Sequence, residues 1–102
     1  MKKAKVIFND EKLQYSCELM RALAHPLRLK ILEYIDENEI VNVNKIYNKL
    51  SIEQSITSQH LKTLKMAGVV DADKNGKFVN YRINYDVVER VEFAVNKFLN
   101  KI

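Results

Sequence analysis

One β-hairpin signal in an otherwise helical pattern constrains this chain most. Runs of β-forming residues at 69–73 and 78–83 flank a short polar stretch that contains Asn75-Gly76, the strongest short hairpin signal. The 102 residues include only two glycines and one proline, so a single helix-rich domain is indicated. We therefore expect one mainly α domain spanning the whole chain, with a small β-hairpin, the wing, at residues 69–83.

Five helical segments are predicted around this hairpin, four before it and one after it. Their bounds are 10–24, 26–36, 44–50, 53–66 and 85–102. Pro26 suits a helix start because its missing N–H would be unpaired there, Asn44 is the predicted cap of the third helix, and Gly68 ends the fourth. Residues 40–43 are a candidate edge strand. The tight connection between the third and fourth helices predicts a helix-turn-helix at residues 44–66.

The fourth helix has two different faces. Thr57, Leu61 and Leu64 form an apolar stripe directed at the core, and the opposite side is polar. A helix fits the major groove of B-DNA, where amide and hydroxyl groups both donate to and accept from base edges. Gln54 and Gln59 are therefore the leading candidates for base contacts. A polar face alone is common on surface helices, so the argument depends on the basic hairpin beside it.

The wing adds positive charge next to this helix. Lys74, Lys77 and Arg82 are predicted at a projecting tip that contacts the DNA backbone or enters the minor groove. The alternative is a solvated hairpin whose lysines only discourage edge pairing. The full set of predicted DNA-contacting residues is Gln54, Ser55, Thr57, Ser58, Gln59, His60, Lys62, Lys65, Lys74, Asn75, Lys77 and Arg82.

Three segments carry a resemblance to a known family. They are LAHPLRLKIL at residues 23–32, QSITSQHL at residues 54–61 and AGVV at residues 67–70. Together with the order of elements, they resemble the ArsR/SmtB family of winged helix-turn-helix transcriptional regulators over nearly the whole chain. The resemblance implies a sequence-specific DNA-binding regulator, typically a repressor that binds an inverted-repeat operator as a homodimer.

The sequence departs from this family at Ile56 and Thr57. The family usually has the larger apolar residue at the second of these positions, where the helix packs on the core, and here the order is reversed. Either Thr57 buries its methyl group and bonds its hydroxyl back to the helix, or the helix rotates and Ile56 packs inside. Ile56 could also contact a thymine methyl group.

The first and last helices are predicted to form a dimer interface. Their apolar stripes are wide, and the stripe of the last helix repeats at near-heptad spacing. Two copies of the fourth helix, the recognition helix, would be related by symmetry and would reach successive major grooves. The alternative is that both stripes serve only the subunit's own core. The predicted dimerisation residues are Leu13, Cys17, Met20, Val88, Val91, Val95 and Phe98.

The metal ligands of the family are missing from this sequence. Residues 42–44 read Asn-Val-Asn where metal-sensing relatives carry Cys-X-Cys, and the last helix has no histidine. The spacing of Cys17, His25 and His60 matches no metal signature, so no metal or other cofactor is predicted. Cys17 is interpreted as a small core residue, with a redox switch between subunits as the alternative. The sequence does not indicate an inducer.

Charge and composition limit the remaining functions. Seventeen Lys and Arg against thirteen Asp and Glu give a net charge of +4, which suits double-stranded DNA as the partner. The chain has no apolar run long enough to span a membrane, no secretory signal and a single cysteine, so a cytoplasmic location is expected. No catalytic or cofactor motif is present, so no enzyme is predicted. The alternative function is a winged-helix module that binds protein instead of DNA.

Overall fold

The computed structural model describes residues 11–99, except for the side chains of Lys12, Leu13, Ala94, Lys97, Phe98 and Leu99. The predicted ends of the first and last helices, at Asp10 and at residues 100–102, lie outside the described residues. The elements are α1 (Glu11–Leu23), α2 (Pro26–Asn38), β1 (Val41–Asn42), α3 (Val43–Leu50), α4 (Gln54–Met66), β2 (Val70–Asn75), β3 (Phe78–Ile83) and α5 (Tyr85–Leu99). This is the predicted order of a winged helix-turn-helix.

The core lies where α2, α3 and α4 meet the base of the hairpin. Ile31 and Ile35 of α2, Ile46 of α3, and Leu61 and Leu64 of α4 are fully buried. Each comes from the apolar stripe of its helix, which explains why short helices with polar outer faces pack into one cluster. None of the helices within residues 11–99 combines the length and the apolar composition needed to cross a lipid bilayer.

The hairpin belongs to a three-stranded antiparallel sheet in the order β1-β3-β2. The pair farthest along the hairpin joins Asn75 to Phe78, so the turn contains only Gly76 and Lys77. Gly76 has a φ of 64° and Lys77 does not have a positive φ, as in a type II′ turn. The predicted connection over residues 74–77 was therefore too long, because the strands continue pairing closer to the glycine.

The start of α3 also differs from the prediction. The side chain of Asn42, and not that of Asn44, caps this helix: its Oδ1 accepts a hydrogen bond from the backbone N–H of Lys45 at 2.9 Å. Both asparagines suit a cap by residue type. Asn42 is the last residue of β1, and its extended backbone places the side chain over the first turn of α3.

Only part of the apolar stripe predicted for α1, which includes Cys17 and Met20 and is widened by Leu19 and Leu23, is buried in the subunit. Leu19 and Ala22 are buried and Leu23 is partly buried against the core, whereas Cys17 and Met20 are exposed. The interpretation of Cys17 as a core residue is therefore wrong for the single subunit. The side of α1 that contacts the core is therefore the one that carries Leu19 and Leu23. The part of the stripe that carries Cys17 and Met20 is directed away from this subunit's core.

Candidate nucleic-acid interface

A tight turn fixes the angle between α3 and α4. Residues 51–53 join the two helices, and Ser51 has a left-handed backbone with a φ of 54°. The N–H of Ser51 donates to the carbonyl oxygens of Tyr47 and Asn48, and the N–H of Ile52 donates to the Tyr47 carbonyl at 3.0 Å. The last carbonyl groups of α3 therefore have partners where the chain reverses. The sequence-predicted helix-turn-helix is present at this place.

Thr57 anchors α4 to the core. Its side chain is fully buried, and its Oγ1 donates to the carbonyl oxygen of Glu53 at 3.0 Å, as does its own backbone N–H. This is the first of the two alternatives drawn from the sequence, with the methyl group inside and the hydroxyl bonded back to the helix. Ile56 is 38 % exposed. The assignment of Thr57 to the DNA-contacting residues is therefore corrected, because its side chain has no surface to offer.

The outward face of α4 is polar and free of the core. Ser55, Gln59 and Lys62 lie opposite the buried Thr57, Leu61 and Leu64, as a repeat of three and four residues requires. On one flank of this face are Gln54, Ser58 and Lys65, all exposed. We call these six residues, Gln54, Ser55, Ser58, Gln59, Lys62 and Lys65, the outward face of α4. It is built of amide, hydroxyl and ammonium groups, which are the groups that bind base edges and phosphates.

His60 lies off this face and is held from inside the protein. Its Nδ1 accepts a hydrogen bond from Nε of Arg28 at 3.2 Å, and its ring centroid is 4.6 Å from that of His25. Burial lowers the pKa of His60 below its ordinary value, and the charge of Arg28 and the neighbouring His25 lower it further. The lowered pKa favours the neutral ring, so His60 is not suited to supply positive charge to a phosphate.

Arg28 was not singled out from the sequence, yet it links three helices. Besides His60 on α4, its Nη1 donates to the carbonyl oxygens of Arg21 and Ala22 at 3.1 and 3.2 Å, near the end of α1. The neighbouring His25 caps α2, with its Nδ1 accepting from the N–H of Leu27 at 3.2 Å. The only indication of a role for Arg28 in the sequence was its place in the segment of residues 23–32, which carries the family resemblance.

The cations of the wing are divided between its tip and its base. Lys74 and Lys77 are exposed beside the turn. Arg82 pairs with Asp71 in the sheet register, about 16 Å along the strand from Lys77, and its guanidinium forms an ion pair with Asp73. The prediction of Arg82 at the tip is therefore wrong, because β3 carries it back toward the core. Asn75 is exposed at the end of β2.

The terminal helices leave apolar side chains on the surface of the subunit. Met20 is 43 % and Val95 is 37 % exposed, and Tyr15 and Phe93 are exposed as well. Val88 and Val91 are partly buried against the core. The side chains of the other predicted dimerisation residues, Leu13 and Phe98, lie outside the described part. The face that was predicted to pair is thus only partly used within one subunit.

No group of three or more His, Cys, Asp or Glu side chains is arranged to share a metal ion within the described residues. At the place of the Cys-X-Cys pair of metal-sensing relatives, the Asn42 amide serves as the cap of α3.

Comparison with known proteins agrees with the fold. The sequence pattern of the bacterial regulatory protein arsR family matches residues 25–72. The transcriptional repressor PagR of Bacillus anthracis is 36 % identical over 102 residues, which cover 94 % of this chain and 97 % of PagR. The repressor SmtB of Mycobacterium tuberculosis is 41 % identical over 73 residues, covering 72 % of this chain and 53 % of SmtB.

Solved structures give the same result. The crystal structure of PagR superposes with a TM-score of 0.68 at 31 % identity, covering 81 % of this chain and 95 % of that one. A homodimeric winged helix-turn-helix DNA-binding domain, Mb0332 of Mycobacterium bovis, gives a TM-score of 0.76 at 25 % identity, covering 98 % and 91 %. Sequence and fold agree that this chain, which is not an enzyme, belongs to the ArsR family of winged helix-turn-helix transcriptional regulators.

Proposed function

We propose that this protein is a sequence-specific repressor that binds an inverted-repeat operator as a homodimer. The observation that carries the proposal is the outward face of α4, which stays polar and exposed while Thr57, Leu61 and Leu64 hold the helix from inside. The first turns of such a helix contact base edges in the major groove. The repressors PagR and SmtB among its relatives support the same role.

Within this face, the proposal divides base contacts from phosphate contacts. Gln54, Ser55, Ser58 and Gln59 lie in the first half of α4 and contact base edges, where an amide forms two hydrogen bonds with adenine. Further along the helix, Lys62 and Lys65 neutralise phosphates, as do Lys74 and Lys77 at the wing tip. Asn75 adds a neutral backbone contact there. Ile56 is exposed beside the base-contacting residues and suits a thymine methyl group.

The homodimer is proposed to form through α1 and α5. Met20 and Val95 leave apolar surface on the two helices, which a second copy would cover. The homodimeric state reported for Mb0332 supports this arrangement. Two copies of α4 would then contact successive major grooves of one operator. A cytoplasmic location is proposed because the DNA target is there.

Metal-independent DNA binding is also proposed. The support is chemical, because residues 42–44 carry amide and apolar side chains at the place where relatives carry thiolates. DNA affinity measured after dialysis against EDTA, and again with added Zn²⁺, is expected to be the same. A change of more than about tenfold, or roughly 1.4 kcal/mol, would contradict this part of the proposal.

The test is fluorescence anisotropy with the DNA upstream of the protein's own gene, with competitor DNA and at two salt concentrations. Gln59→Ala is expected to reduce discrimination against a mutated operator by about 1–3 kcal/mol, whereas Lys77→Ala weakens binding to all sequences and reduces the salt dependence. Gln14→Ala and Lys30→Ala, at exposed positions on α1 and α2, are matched controls. If both test variants bind like the wild type, the contact assignment is wrong. If wild-type protein shows no preference for any operator, the alternative of a protein-binding module gains support.

A further inference from the structure

A groove with an apolar floor and an acidic rim lies between α2 and the first turns of α5. Its volume is about 680 Å³, and its floor includes Leu29 and Leu32 of α2 and Val88 of α5. A cavity of this size is within the range of sites that hold small organic molecules. Leu29 is 51 % exposed, so the apolar floor is open to solvent.

The rim of this groove is negative although the chain as a whole is positive. Glu33 and Asp36 of α2 lie opposite Glu89 and Glu92 of α5, and the lining includes no Lys, Arg or His. Both pairs are three residues apart on their helices, a spacing at which like charges destabilise a helix. Among the described side chains, the only ion pair joins Arg82 to Asp73. The rim carboxylates therefore have no cationic partner in the described part of the subunit.

An aromatic ring stands beside this rim. Tyr85, at the start of α5, is 48 % exposed, and its hydroxyl donates a hydrogen bond to the carboxylate of Asp36. That hydrogen bond raises the pKa of Tyr85, and the negative charges of Asp36 and Glu39 act in the same direction. The face of an aromatic ring attracts organic cations, so Tyr85 adds to the preference of the rim for positive charge.

We propose that this groove binds an amphipathic organic cation, with its apolar body on the floor and its charge between the four carboxylates. Charge complementarity identifies this class of ligand, because a neutral apolar molecule would leave the rim unpaired. Val88 is one of the predicted dimerisation residues, and here it is assigned to the floor of the groove. A two-fold interface centred on the groove would set the same carboxylates against each other, so we expect a second copy to contact α5 nearer Val95. The site does not depend on the proposed DNA binding.

Two probes of the same shape and opposite charge test the proposal. Tetraphenylphosphonium and tetraphenylborate are titrated separately into the full chain by isothermal calorimetry. The phosphonium is expected to bind once per subunit and at least about tenfold more tightly than the borate. In the double variant Glu33→Gln/Glu89→Gln, the phosphonium affinity is expected to fall at least about tenfold. Glu37→Gln removes an exposed charge of α2 outside the groove and is the control expected to leave affinity unchanged.

Three results would overturn the proposal. The first is equal affinity for the two probes or an unchanged affinity in the double variant, whose folding is checked by its thermal melt. The second is a number of bound phosphonium ions per subunit that falls as the chains associate, because a second copy of the chain would then fill the groove. The third is tighter phosphonium binding after Lys2, Lys3 and Lys5 are all changed to Gln, which would make the chain's own basic start the occupant. DNA binding measured in parallel separates a failure here from a failure of the proposed repressor function.

Discussion

The recognition helix α4 and the terminal helix α5 differ in how completely one subunit holds them. On α4, Thr57, Leu61 and Leu64 are all fully buried, and Arg28 adds a hydrogen bond to His60. On α5, Val95 is 37 % exposed, and Phe93 is exposed as well. The helix that is proposed to contact DNA is therefore supported within one subunit, whereas the last helix leaves apolar surface for a further contact.

The largest expected effect comes from breaking the support of α4. Leu61→Ala removes a fully buried side chain and is expected to lower the free energy of unfolding by about 2–5 kcal/mol. Met66→Ala is the control on the same helix, because Met66 is 78 % exposed and its loss should change stability by less than about 0.5 kcal/mol. Urea denaturation at one fixed protein concentration measures both, since a dimer's stability depends on concentration. Equal losses would mean that α4 is not anchored as described.

A smaller effect is expected from placing a charge on the exposed face of α5. Val95→Glu would bury a carboxylate in the proposed dimer interface and is expected to weaken dimerisation by about 2 kcal/mol or more, roughly 30-fold. Sedimentation equilibrium measures the dissociation constant. Asn96→Glu introduces the same charge at the adjacent exposed position, about 100° around the helix, and is expected to have the weaker effect. A wild-type monomer would remove the proposed interface altogether.

Arg28→Ala is expected to weaken the support of α4, with an effect similar to that of Val95→Glu on the dimer. The substitution removes the hydrogen bonds to His60 and to two carbonyl groups of α1, at a cost of about 1.5–3 kcal/mol. Arg28→Lys should recover little of this loss, because a single ammonium group cannot reproduce the planar fork of the guanidinium. Thermal and urea unfolding check the order of the three proteins. Full recovery with lysine would show that only the charge matters.

The smallest expected effect is a pH dependence from His60. Its pKa is lowered in the folded state, so between that value and the ordinary value of about 6.5 the unfolded chain binds more protons. This contribution to stability is therefore complete above pH 6.5 and is lost as the pH falls toward the folded-state pKa. His60→Gln is expected to flatten the difference between urea denaturations at pH 7.5 and pH 5.5. An unchanged difference would mean that another group titrates.

Local sequence patterns predicted the helices and strands well, but they could not predict contacts between residues that are distant in sequence. The stripe of Thr57, Leu61 and Leu64 and the glycine of the hairpin were sufficient to place α4 and the wing. In contrast, Arg28 and His60 are 32 residues apart, and only the packed helices bring them together. Periodicity does not contain that kind of information.

In the candidate site, the positions of single residues likewise could not be predicted from local patterns alone. The sequence left open whether Thr57 or Ile56 packs inside, because both side chains have apolar groups and the choice depends on the hydroxyl finding the Glu53 carbonyl. Arg82 was placed at the wing tip because it is close in sequence, but strand pairing with Asp71 carries it to the base. In contrast, the helical periodicity of α4 was sufficient to predict which residues form its outward face.

The two residues of β1 have a mechanical consequence for the whole surface that is proposed to bind DNA. Val41 pairs with Tyr81 and Asn42 with Asn80, and α3 begins directly after them. The middle strand of the sheet is thus paired with the two residues that lead directly into the helix-turn-helix, so we expect the hairpin and α3 to move together. In the proposed dimer, adjustment to curved DNA or to a different distance between half-sites would then take place at the interface between the subunits.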